Sequence, residues 1–193
     1  MHLASGLSYA DAANVRMIRS HLHSLPEFSF PEGFGIRPMR RHEGGLWEDV
    51  QRDAEPFLTI SPGLFDVEFG DDPGAIERRC FFITGPDDCA VGAIAAWYSH
   101  DVQGRDWGRI HWVATRRAFQ GRGLAKAGMS FAMRSLARWH ERAWLATNTA
   151  RLGAIKLYLD FGFVPDLDTP SARQAWLAVR RTLDHPALAM LDR

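Results

Sequence analysis

Two glycines and four cations crowd the stretch RRAFQGRGLAKA, residues 116–127, directly ahead of a segment with the spacing of an amphipathic helix. The first four N–H groups of a helix have no partner inside it, and the aligned peptide dipoles leave partial positive charge at that end. Such an end binds phosphate. Gly121 and Gly123 carry no Cβ, so the backbone there can turn sharply and come close to a ligand. The amides of Gln120, Gly121, Arg122, Gly123, Leu124 and Ala125 are therefore candidate donors to phosphate oxygens. Arg116, Arg117, Arg122 and Lys126 are candidates for outer phosphates, or else ordinary solvated charges beside a helix. Two other phosphate-binding designs do not fit. The G-x-x-x-x-G-K-[ST] loop is absent, and a dinucleotide fold places its glycine-rich turn after the first strand.

A strand before this loop and a helix after it must position it. RIHWVAT, residues 109–115, reads as the strand. In the helix, Lys126, Ser130, Arg134, Arg138 and Glu141 fall on one side, expected to face water, while Phe131, Met133, Leu136 and Ala137 supply much of the other. Upstream, Ala12, Val15, Ile18, Leu22 and Leu25 recur at helical spacing until Pro26, which predicts a helix over 8–25 within an N-terminal helical extension, 1–33. A first short strand is expected at 35–38 and a helix at 44–58. Two apolar runs in 77–98, joined by Gly-Pro-Asp-Asp, predict a hairpin, and SHDVQGRDWG, 99–108, reads as a polar loop. Downstream, 142–148 reads as a strand, 150–162 as a helix ended by Gly162, and 161–167 as a final short strand. Asp168, Thr169 and Pro170 signal the cap of a last helix over 171–183.

Length and composition narrow the function classes. The chain has 193 residues, enough for one well-buried domain with additions, and 46% hydrophobic with 24% charged residues is an ordinary globular balance. With 23 basic and 23 acidic residues there is no strong field to hold a polyanion, so neither nucleic acid nor a membrane surface is expected as a partner. The first residues lack the pattern of a secretory signal, and no run of about 18 apolar residues occurs, so a cytoplasmic location is expected. Cys80 and Cys89 lack metal-ligand spacing and read as structural thiols; no metal is expected.

The element order, the run Gln120-Gly121-Arg122-Gly123-Leu124-Ala125, and Asn148 followed by Ala154-Ile155-Lys156-Leu157-Tyr158-Leu159-Asp160-Phe161-Gly162-Phe163 together resemble the GCN5-related N-acetyltransferase (GNAT) superfamily. That family's acyl-CoA loop reads Q/R-x-x-G-x-G/A, and its later element reads Asn, then A-x-x-L-Y-x-x-x-G-F. The resemblance spans roughly Phe34 to Asp166. It implies a mixed α/β fold with a mostly antiparallel central sheet, a splayed strand pair and flanking helices, so that 34–168 forms the core and 169–193 a helix and tail packed on it. Acetyl-CoA is the implied acyl donor. Its phosphates would lie on Gln120 to Lys126, and the backbone of Val113 and Thr115 would pair with the pantetheine arm. Asn148 would lie near the same arm, or else serve as a turn or cap residue. A seventh strand usually follows the G-F element, whereas here a helix and tail are expected.

Acyl transfer to an amine needs the amine neutral, and a lysine-like amine is neutral about once in a few thousand molecules at pH 7. Histidine, with a pKa of ~6.5, suits the base. His111 is the candidate; alternation would put it on one face with Arg109, Val113 and Thr115. The alternative is a strand histidine bonded in the sheet or packed beside Trp112. Tyr158 matches the family's tyrosine that protonates the departing thiolate, although a tyrosine among Leu157, Leu159 and Phe161 also fits a core. The expected function is transfer of acetyl from acetyl-CoA to a primary amine of a small molecule or peptide by direct attack, in a monomer or homodimer. The alternative is a non-catalytic acyl-CoA-binding module. The resemblance implies that the acceptor is chosen by residues 40–72 and 165–175, of which the first offers Glu43, Glu48, Asp49, Glu55, Asp66 and Glu68 for a cationic amine, or as a plain acidic surface, and Trp47, Phe57 and Phe65 for a pocket or the core.

Overall fold

The computed structural model of the chain describes residues 12–102 and 105–192. In chain order the elements are β1 (Asn14–Arg19), β2 (Gly35–Pro38), α1 (Gly44–Ala54), α2 (Leu64–Phe69), α3 (Pro73–Arg79), β3 (Cys80–Thr84), β4 (Ala90–Val102), β5 (Arg105–Thr115), α4 (Leu124–Leu136), β6 (Ala143–Asn148), α5 (Leu152–Asp160), β7 (Val164–Pro165) and α6 (Pro170–Thr182). All strand pairs with an assigned register are antiparallel. The fold is mixed α/β, mostly antiparallel, with flanking helices. The chain divides into two compact units, one from Leu22 to Glu141 and the other joining the segment through His21 to the segment from Arg142.

In the first unit β3, β4 and β5 form an antiparallel meander, and β2, separated from β3 in the chain by α1, α2 and α3, pairs along its outer edge. Phe82, Ala93, Ala95, Trp97 and Ala114 project from one face of it into a core completed by Trp47, Val50, Phe65 and Phe69. Trp47 and Phe65, weighed above as pocket residues, are 2% and 3% exposed and belong to this core, whereas Phe57 is exposed. The sequence pattern missed α2 and α3 because each is only six or seven residues long. Asp72 nevertheless caps α3, its side chain accepting from the Ala75 amide, with Pro73 opening the helix. The polar stretch 99–108 is largely strand and not loop: β4 runs to Val102, β5 begins at Arg105, and those two residues pair. On α4 the expected solvated stripe is interrupted: Ser130 is fully buried, accepting from the Phe28 amide at 2.9 Å and donating to the Pro26 carbonyl at 3.0 Å. The hydroxyl satisfies backbone groups of the connection that follows β1, so a polar residue is buried at little cost.

The second unit corrects the N-terminal expectation. Residues 14–19 form a strand, not part of a helix, while residues 8–11 of that expected helix lie outside the described residues. β1 lies between β6 and β7, pairing Asn14 with Asn148, Arg19 with Ala143 and Ile18 with Val164. Its inward positions are Val15, Met17 and Arg19. Arg19 can be buried because Nη1 donates to the Phe161 carbonyl and Nε to the His21 carbonyl. After Phe163 the described chain forms the two-residue β7, then α6 capped by the Thr169 hydroxyl. At this end of the sheet β1 is the strand that lies between β6 and β7.

Candidate active site

The glycine loop takes the form its sequence suggests. Gly121 and Gly123 have φ of +76° and +79°, the left-handed region that glycine adopts without strain. Gly123 is the N-cap of α4, and among the described residues no side chain caps that end. A Cβ built on either glycine meets nothing within 4 Å among the described residues, so there is room beside the N-terminus of this 13-residue helix. The loop is braced from beneath: the Arg117 amide donates to Asp53 at 2.8 Å, and Arg116 Nε donates to the Ala90 carbonyl at 2.8 Å. Gln120 Nε2 donates to the Thr115 carbonyl at 3.0 Å, Arg122 stacks over Phe119, and Lys126 lies over Phe28. Leu124 is buried and anchors the helix start, and Ala125 follows it in the first turn.

A bulge redirects β5 ahead of this loop. Ala93 pairs with Ala114 and Ala95 with His111, so β5 carries one residue more than β4 over this interval. Trp112 absorbs it with φ of +49°, a conformation costing a bulky residue about 1–2 kcal/mol. Its carbonyl accepts from Gln51 at 3.2 Å and its ring packs edge-on against Trp47 at 5.1 Å. Residues paired across antiparallel strands share a face. His111 therefore shares the face of Ala95, and Arg109 that of Trp97, while Thr115 pairs with Gly92 on the opposite face, alongside Ile110 and Ala96. The single face expected for Arg109, His111, Val113 and Thr115 is corrected accordingly, because alternation fails across an inserted residue.

His111 instead meets a partner from α2. Its Nε2 lies 2.7 Å from Glu68 Oε2, which also accepts from Trp112 Nε1 at 2.9 Å. Hydrogen bonding to His111 holds the Glu68 carboxyl down at about 2, so it is ionised throughout the neutral range. Burial pushes the His111 imidazole below its usual value; Glu68 opposes that shift and the Arg109 charge adds to it. Phe69 and Trp112 pack against the ring at 5.7 and 5.8 Å. In sequence, Glu68 was one of several acidic residues. Its distinguishing signal is the i, i+4 pair Phe65 and Phe69, which buries one side of α2 and turns its neighbours toward the sheet.

Tyr158 and Asn148 belong to the second unit. Tyr158, in α5, is 7% exposed, and burial pushes its phenol up to about 12. Asn148, at the end of β6, accepts from the Ala150 amide at 3.0 Å and donates to Asn14 at 3.1 Å. It thus holds the turn into α5 and the β1 pairing together.

Comparison with known proteins agrees with this architecture. The model of the Acetyltransferase (GNAT) family matches residues 29–163. A GCN5-related N-acetyltransferase from Sphaerobacter thermophilus superposes with a TM-score of 0.59 at 21% identity, covering 79% of this chain and 48% of that one. A GNAT-family acetyltransferase from Colwellia psychrerythraea gives 0.61 at 11% identity, covering 80% and 53%. A third, from Kribbella flavida, gives 0.51 at 16% identity, covering 80% and 56%. The chain spans about half the length of these structures. No curated protein matches the sequence.

Proposed function

From the premise that this chain belongs to the GNAT acetyltransferase family, we propose that it transfers acetyl from acetyl-CoA to a primary amine by direct attack. The observation that carries this is the glycine loop: a 13-residue helix whose N-terminus no side chain of the described residues caps, opening at two left-handed glycines with room beside them. A pyrophosphate accepts hydrogen bonds from such amides and neutralises that end of the helix. Gln120 to Lys126 would hold the phosphates, and Val113, Thr115 and Asn148 would border the pantetheine arm.

In the transfer, the acceptor nitrogen attacks the thioester carbonyl and its proton passes to His111. Glu68, being ionised, can only accept a hydrogen bond, so Nε2 carries hydrogen and the lone pair remains on Nδ1. Collapse of the tetrahedral intermediate breaks the C–S bond, and the phenol of Tyr158 donates a hydrogen bond or a proton to the departing thiolate, solvent restoring any proton given. Holding amine and thioester together supplies much of the acceleration, since proximity alone is worth ~7–11 kcal/mol. Calorimetric titration with acetyl-CoA and CoA, with an unrelated nucleotide as control, tests the proposal. Selective micromolar binding is the expected result, and absence of binding removes the acyltransferase assignment.

A further inference from the structure

We infer that Glu68 is the positioning residue of the acid–base machinery, fixing the tautomer of His111 so that Nδ1 faces the chemistry and stabilising the imidazolium formed there. This rests on the assignment of His111 as base. The geometry is specific: one carboxylate oxygen takes hydrogen bonds from two consecutive residues, His111 Nε2 at 2.7 Å and Trp112 Nε1 at 2.9 Å. Those two side chains reach the same oxygen because Trp112 sits at the bulge with φ of +49°. On an unbroken strand, neighbouring side chains point to opposite faces and could not converge on one atom. The strained backbone at Trp112 thereby builds the histidine–carboxylate pair, and strain retained at such a point marks a functional constraint.

The charged surroundings are few. From β5, Arg109 opposes protonation of His111; from α2, Glu68 favours it. On α1, the buried Glu48 is engaged with the Phe65 amide and Gln51 with the Trp112 carbonyl, while β4 presents Ala95 and Trp97. Among the described residues Glu68 is the carboxylate at hydrogen-bond distance from the ring, and removing its charge leaves Arg109 and burial to act on it. The proton received at Nδ1 stays on the imidazole until solvent takes it, and Glu68 remains ionised throughout.

The test has two readouts. Nitrogen-15 NMR of the chain without acceptor reports the His111 tautomer and its titration whether or not the protein turns over; Nε2–H is expected near pH 7.5. The pH dependence of kcat at saturating acceptor and acetyl-CoA reports the group that acts in the complex. In Glu68→Gln, both the NMR midpoint and the acidic limb of kcat should move to lower pH by about one unit or more, with kcat lowered about tenfold. In Trp112→Phe the carboxylate charge remains, and the limb should stay within a few tenths of a unit. An Nδ1–H tautomer, or a fall of kcat in Glu68→Gln with no movement of the limb, overturns the inference. If Glu68→Gln fails to fold, Glu68→Asp keeps the charge while withdrawing it by one methylene, and a limb displaced to lower pH is again required. Should His111→Ala retain the acidic limb, the base assignment is what fails, and the NMR titration still reports on the Glu68–His111 pair.

Discussion

Replacing Gly123 separates its two duties, backbone conformation and room for a ligand. At φ of +79° an L-residue pays for the left-handed conformation, and because a Cβ there meets nothing within 4 Å, no steric clash adds to it. Gly123→Ala should thus lose about 1–2 kcal/mol of stability, about 2–8 °C in Tm for a chain of this size. Asparagine tolerates that conformation better than alanine, so Gly123→Asn should stay closer to the parent in stability while its side chain projects into the space assigned to phosphate. Losing one charge-assisted hydrogen bond costs about 1.5–3 kcal/mol, which converts to a roughly ten- to hundredfold weaker Kd. Calorimetry with CoA and with pantetheine, which lacks the pyrophosphate, supplies the assay. CoA binding should weaken while pantetheine binding holds. If Gly123→Asn bound CoA as tightly as the parent, or lost both ligands equally, the phosphate cradle would be refuted.

Tyr158→Phe should slow single-turnover acetyl transfer about tenfold without weakening CoA binding, and an unaltered single-turnover rate would remove the hydroxyl from the reaction. With the phenol at about 12, the parent's rate should not decline below about pH 11 on account of this group. Acid should destabilise the first unit through Glu43, whose carboxyl is held down at about 2 by the paired Arg37 guanidinium, 2.8 Å from each oxygen. Its folded value lies below its unfolded one, so the stability it contributes is present above about pH 4.5 and drains away as pH falls toward 2. Denaturation midpoints between pH 6 and 2 should accordingly fall less steeply for Glu43→Gln than for the parent.

The loop and the helix after it were legible because their signal is local: left-handed positions require glycine, and an amphipathic helix follows at once. The Thr169-Pro170 cap was legible for the same reason. β1 was not, since Val15, Ile18 and Leu22 also satisfy a helical spacing, and the third inward position of the strand is Arg19, whose burial depends on the distant Phe161 carbonyl. A charged residue at a buried position hides a period of two. The convergence of His111 and Trp112 on Glu68 was likewise invisible, because one inserted residue in β5 inverts every later side chain and no residue type announces it. Gly162 shows the opposite case. Its φ of +74° ends α5, and a Cβ there would lie 2.6 Å from Arg19 Nη1, so a glycine visible in sequence was reserved for an arginine that was not.

The placement of β1 has a consequence for synthesis. Asn14 pairs with Asn148, 134 residues later, and Arg16 holds Asp166, 150 residues away. At about 5–20 residues per second, residues 14–19 emerge from the ribosome on the order of 10 s before their partners exist. The 22–141 unit can form its sheet in the meantime, since β3, β4 and β5 follow one another directly and β2, joined to β3 through α1 to α3, is made before them. Of the described strands the first to be made is among the last to find its neighbours, and during that interval Val15, Met17 and Ile18 are open to any exposed strand edge nearby. Rapid translation, or a chaperone that shields this segment, should therefore raise the soluble yield more than stabilising the 22–141 unit would.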